Sequence, residues 1–136
     1  MSIIFLFCFL TLRLSAPSNH IIYIIKSEAI MPYEAIIRAV TTVESAGDMY
    51  ALNRQESAYG ALQIRQIKLD WYYNETGIRY RLNDCFKESV SREIFVYHMN
   101  QYSDVDTGIK KWNGSGRKTN EYLIKVQKVI DCFNHK

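Results

Sequence analysis

Apolar residues along this chain mostly fall at helical spacing, three and four positions apart, and no other feature constrains the fold as strongly. Glycine and proline, the residues that punctuate helices, number 6 and 2 in 136 residues. Strand signals are weak. The pattern predicts helices over 32–45, 62–75, 87–101, 105–112 and 119–133. Asn74-Glu75-Thr76-Gly77 marks a break between two of them, and Asn113-Gly114-Ser115-Gly116 a tight turn. There are no repeats and no low-complexity tracts. A chain of this length makes one domain around a single modest core, so the expected fold is all-α, with about five or six helices.

The N-terminus is a different object. Ile3 to Leu12 is apolar except for Thr11, too short to span a bilayer as a stable helix. It has the character of a secretory leader's apolar region, and Ala16 and Ser18 supply small residues at −3 and −1 of a cut after Ser18. The reading is a signal peptide over 1–18, a lead-in over 19–31 containing Ile21-Ile22-Tyr23-Ile24-Ile25, and the domain over 32–136. An uncleaved N-terminal anchor is the alternative, since the run is preceded by no Lys or Arg and Arg13 interrupts its end. The expected location is the periplasm or cell envelope. Losing the leader removes Cys8 and leaves Cys85 and Cys132, an even number for an oxidising compartment. A bridge between them and two free buried thiols both stay open, because spacing alone does not fix disulfide geometry.

Within the domain, the first helix carries the chemistry. Ile36, Ala39, Val40 and Val43 define its buried face, and Glu44 follows one turn beyond Val40 at the edge of that stripe. Gly47 is the expected stop, which puts Glu44 in the last turn. Partial negative charge at the helix C-terminus and withheld solvation both disfavour a carboxylate, so this acid should keep its proton to higher pH. A carboxylic acid protonated near neutrality can give its proton to a glycosidic oxygen as the bond breaks. Direct hydrolysis needs a second carboxylate, about 6.5–9.5 Å away for inversion or about 5–5.5 Å for retention. Asp48, Glu56 and Asp70 are the candidates nearest in sequence.

Three segments in order carry a resemblance. They are Glu44-Ser45 with Ala51-Leu52-Asn53, then Ala58-Tyr59-Gly60-Ala61-Leu62-Gln63-Ile64, then Trp112-Asn113-Gly114 with Thr119-x-x-Tyr122-x-x-x-Val126. Together they resemble the catalytic domain of lytic transglycosylases and goose-type lysozymes over about residues 32–130. Asn53 stands where Ser is usual, Ser57 where Gly is, Ala61 where Leu is, and Trp112 where Tyr is. The resemblance implies a lysozyme-like fold with a substrate cleft, Glu44 as catalytic acid, and Gln63 lining the cleft. Asn113 offers a donor and an acceptor for sugar substituents. Tyr122 would position or polarise the reacting sugar, or pack the last helix with Val126, Val129 and Phe133. Ser45 would cap the loop or touch substrate. Gly60 would mark a close approach to a sugar or to another helix. Trp112 would stack on a sugar ring or fill the core.

The activity implied is cleavage of the MurNAc–GlcNAc β-1,4 bond of peptidoglycan, leaving 1,6-anhydromuramic ends with one acid/base residue. Two alternatives stand beside it: a muramidase that uses water, and a non-catalytic glycan-binding or structural module. The expected partners are peptidoglycan strands and, in an assembly role, envelope or secretion proteins; a monomer is expected. No cofactor is implied, and no Cys/His cluster has metal-site spacing. The net charge of +3 is mild. Lys110, Lys111, Arg117, Lys118, Lys125 and Lys128 read as a solvated face, because no nucleic-acid motif accompanies them. His98 reads as a packed or surface residue.

Overall fold

The computed structural model describes residues 33–135. The leader, the lead-in, Cys8 and Pro32 fall outside them. The described chain is mostly helical, with five α-helices, one 3-10 helix and a small two-stranded hairpin. In order these are α1 (Glu34–Ser45), β1 (Leu52–Asn53), β2 (Ala58–Tyr59), α2 (Gln66–Thr76), the 3-10 helix (Leu82–Phe86), α3 (Glu88–Met99), α4 (Val105–Asn113) and α5 (Lys118–Asn134).

α3 runs through the middle of the core. Ile94 and Phe95 are fully enclosed, with Val90, Met99 and His98 on the same buried side. α1 packs on α5, α4 on both α3 and α5, and the hairpin and α3 both lean on the 3-10 helix. Full burial of each large apolar side chain in this core contributes about 1.5–3 kcal/mol. On α1 the buried residues are Ile37, Ala39 and Val40, while Ile36 and Val43 pack at its edge. The apolar stripe is therefore wider than its predicted members. Glu34 in the first turn of α1 pairs with Arg92 of α3, and the Tyr33 hydroxyl donates to Asn100 Oδ1 at 3.0 Å.

α1 stops slightly before the expected glycine. Ala46 takes the left-handed conformation first, at φ 55°, and its N–H donates to the Thr42 carbonyl at 3.0 Å. That is the bond of an αL-type helix end, and Gly47 N–H reaches further back, to the Thr41 carbonyl at 3.1 Å. Glu44 stays in the last turn.

Two expectations need correction. The fold is not purely helical: β1 and β2 pair antiparallel, with Leu52 opposite Tyr59 and Asn53 opposite Ala58. Strands of two residues are too short to show an alternating pattern. Nor does the second helix begin at residue 62. Tyr59 and Ile64 exchange both backbone hydrogen bonds at 2.9 Å, and Gln63 has φ 48°, so 60–63 form a tight turn and Arg65 is extended. α2 starts only at Gln66.

Gly60 sits in that turn at φ 75°, with its backbone against the 3-10 helix. A Cβ built there would lie 2.1 Å from the Cys85 carbonyl oxygen. The close approach is thus to protein backbone. Cys85 is buried, Cys132 is exposed, and neither is bridged. Of the two open cysteine readings the structure has the unbridged one, with only Cys85 buried. Burial pushes the Cys85 thiol up to about 12.

His98 is packed, at 2% exposure. Its Nε2 lies 3.0 Å from the Gly108 carbonyl, which can only accept, so the proton sits on Nε2 and Nδ1 keeps its lone pair. Burial, then the Lys68 charge, lowers its pKa to about 4. The unfolded chain would therefore take up a proton near pH 6.5 that the folded chain refuses until about pH 4. His98 should therefore lower stability as pH drops from 6.5 towards 4.5, above the range in which the lowered acids Glu34, Asp84 and Asp104 titrate. Glu44, with its raised pKa, contributes with the opposite sign. Urea melts across that window should show a steeper loss on acidification in the native sequence than in His98→Gln. Equal slopes in both would disprove this account.

Candidate active site

A cleft of about 670 Å³ opens beside the end of α1. Its walls carry Glu44 from α1, Asn53 and Glu56 from the hairpin, and Gln63 from the turn. Arg65 and Lys68 enter from the start of α2, and Lys111, Trp112 and Asn113 from the last turn of α4. That volume lies within the usual range for ligand clefts, about 300–1,000 Å³.

Glu44 is half-buried, and its Oε1 accepts a 2.6 Å hydrogen bond from the Tyr122 hydroxyl. The packing of α5 on α1 makes that bond, and Tyr122 is itself buried at the interface. Desolvation raises the Glu44 pKa above the ordinary carboxylate value and outweighs the Tyr122 hydrogen bond. Glu56 pushes in the same direction through its charge, and Arg65 opposes it. Burial, then the Glu44 charge, pushes the Tyr122 phenol well above its usual range, so it remains a donor.

Of the three other carboxylates, only Glu56 lines the cleft. Asp48 accepts from the Tyr50 N–H at 2.9 Å, closing a local turn. Asp70 takes the Gln66 amide at 2.8 Å on the exposed side of α2.

The remaining candidates divide. Gln63 and Asn113 lie on the cleft wall; the Gln63 amide donates to the Gly60 carbonyl at 2.9 Å, which holds the side chain in place. Trp112 serves in both capacities. It is 7% exposed and packs edge-on against Phe95 at 4.8 Å, yet it also borders the cleft. Ser45 and Gly60 do not line the cleft. The Ser45 hydroxyl lies 2.9 Å from the Ala61 carbonyl and 3.1 Å from that of Thr41, tying the end of α1 to the turn. Tyr122 stands behind Glu44.

Sequence reasoning missed Arg65 and Lys68. The signal available was spacing: Arg65, Lys68 and Trp71 recur every three residues and so share one face of α2. Of the six basic residues read as a solvated face, only Lys111 borders the cleft. Among the described residues no group of three or more His, Cys, Asp or Glu side chains could hold a metal ion, and no helix is long and apolar enough to cross a membrane.

The chain matches no protein-family model, no curated protein and no solved structure. What fold and site define together is a small, mostly helical domain with one desolvated acid on the wall of an open, polar cleft.

Proposed function

We propose that the domain is a peptidoglycan lytic transglycosylase of lysozyme-like fold, exported to the cell envelope. The observation that carries the reading is Glu44: a carboxyl on a sugar-sized cleft, desolvated, and hydrogen-bonded by Tyr122. Desolvation keeps its proton available, and the phenol holds one oxygen so that the other can face the substrate.

In this reaction Glu44 first protonates the glycosidic oxygen between MurNAc and GlcNAc, and the bond to the muramic anomeric carbon breaks. The carboxylate left behind then takes the proton from the muramic C6 hydroxyl as that oxygen bonds to the anomeric carbon. Glu44 ends as it began, the product is a 1,6-anhydro ring, and no water is consumed. One acid/base residue suffices. Gln63 and Asn113 supply hydrogen bonds to the sugars, and the edge of Trp112 an apolar contact.

The second reading is a muramidase, favoured by a single observation: Glu56 is exposed on the same cleft and could activate water. Mass spectrometry of peptidoglycan digested by the chain without residues 1–18 separates the two. Fragments ending in 1,6-anhydromuramic acid are expected. Reducing muramic ends would overturn the transglycosylase and select the hydrolase; intact strands in the presence of folded protein would overturn both.

A further inference from the structure

The cleft holds more positive charge than cutting a neutral sugar link requires. Arg65, Lys68 and Lys111 line it, against two carboxyls, Glu56 and Glu44, and desolvation disfavours the charged form of Glu44. None of the ion pairs among the described residues involves any of the three cations. Lys68 is the unusual member. Its Nζ lies 4.6 Å from the centre of the Trp112 ring, 5.7 Å from that of Trp71 and 3.4 Å from His98 Nδ1. Two aromatic faces and a ring lone pair hold the ammonium in position without neutralising it. Holding an ammonium out of water without a counter-ion is unfavourable, and an anion entering the cleft would relieve it.

We propose that Lys68, with Arg65 and Lys111, forms an anion subsite of the Glu44 cleft that binds a carboxylate carried by the glycan strand. The assignment rests on the peptidoglycan reading, in which the muramic lactyl group or the stem peptide supplies that carboxylate. A guanidinium and two ammonium groups give the carboxylate charge-assisted donors. Burial, then the Arg65 charge, lowers the Lys68 pKa to about 8, so the subsite is charged at neutral pH and fades above that value. Besides Lys68 and Glu44, the titratable or charged groups on this cleft are Arg65, Lys111, Glu56, Tyr102 and His98, of which His98 is held neutral by burial down to about pH 4.

The test uses the Glu44→Gln chain, which should bind without turnover, and isothermal titration with three ligands. These are a neutral N-acetylglucosamine tetramer, peptide-free glycan with its lactyl carboxylates exposed, and glycan bearing stem peptides. At pH 7 the carboxylate-bearing strands should bind at least ~10-fold tighter than the neutral tetramer, as charge-assisted contacts require. Adding Lys68→Met should remove most of that preference and leave the tetramer's affinity unchanged, and Lys68→Arg should keep it. Raising the pH to 9.5 should weaken the anionic ligands selectively. Lys111→Met, at an exposed position, should reduce the preference about threefold and guards against a misfolded Lys68 variant. A preference confined to one glycan identifies the lactyl or the stem carboxylate as the ligand. Equal weakening of all three ligands by Lys68→Met, or no preference to begin with, overturns the subsite alone. Failure of the folded chain to bind any glycan overturns the peptidoglycan reading and the subsite together.

Discussion

Glu44→Gln should lower peptidoglycan turnover by at least ~100-fold, the low end for removing a general acid. The amide matches the acid in size, and its oxygen can still accept from the Tyr122 hydroxyl, so the interface of α1 with α5 is preserved. What is lost is the transferable proton. Glycan affinity and melting temperature should therefore stay near those of the native chain, and a pure binding module would lose nothing. For the native chain, activity should persist above the ordinary carboxylate range and decline as pH rises through the raised Glu44 pKa. The measurement is the release rate of soluble fragments from pH 4 to 8. Near-native turnover in Glu44→Gln would sink the assignment of the acid.

Gly60→Ala should be the most damaging single-methyl change to stability, although it removes nothing. The new carbon would be placed 2.1 Å from the Cys85 carbonyl oxygen, and that oxygen cannot swing aside: it belongs to backbone and accepts the Ser91 hydroxyl at 2.6 Å. The left-handed backbone at φ 75° adds about 1–2 kcal/mol for a residue with a Cβ. With overpacking at about 1–3 kcal/mol, a total near 3 kcal/mol is expected. For a domain of this size that is a fall of roughly 12–24 °C in Tm, read by circular dichroism. Gly47→Ala has similar φ strain but open space around the new carbon, so its smaller loss isolates the contribution of the clash. Equal losses at the two positions would refute the argument.

The helices were legible because their periodicity is written in side chains. Val40, Ile94, Ile109 and Val126 are core residues at helical spacing, and each is buried as a helix face demands. The hairpin was not legible, since Leu52–Asn53 and Ala58–Tyr59 are fixed by backbone pairing that two-residue strands do not encode in polarity. The turn over 60–63 was hidden for another reason. Ala61, Leu62 and Ile64 are apolar enough to read as the start of a helix, and only the Tyr59–Ile64 exchange shows that they are not. At the site, position was easier to read than partnership. A carboxylate at the edge of an apolar stripe announces desolvation, and Glu44 shows it. That Tyr122 reaches Glu44 depends on α5 lying against α1, which no local pattern states. Arg65 and Lys68 were obscured because cations on a helix face ordinarily mean solvent, and it takes the aromatic walls of Trp71 and Trp112 to distinguish them.

The bond between Tyr122 and Glu44 joins residues 78 apart, on the first and last α-helices of the described domain. During synthesis the acid emerges early, while the helix that supplies its partner is made last. Until α5 has left the ribosome and docked, the acid lacks both its hydrogen bond and part of the wall that shields it from water. A half-made chain, or one clipped before α5, therefore holds Glu44 without its partner, and the shielded, hydrogen-bonded acid exists only once α5 has docked on α1.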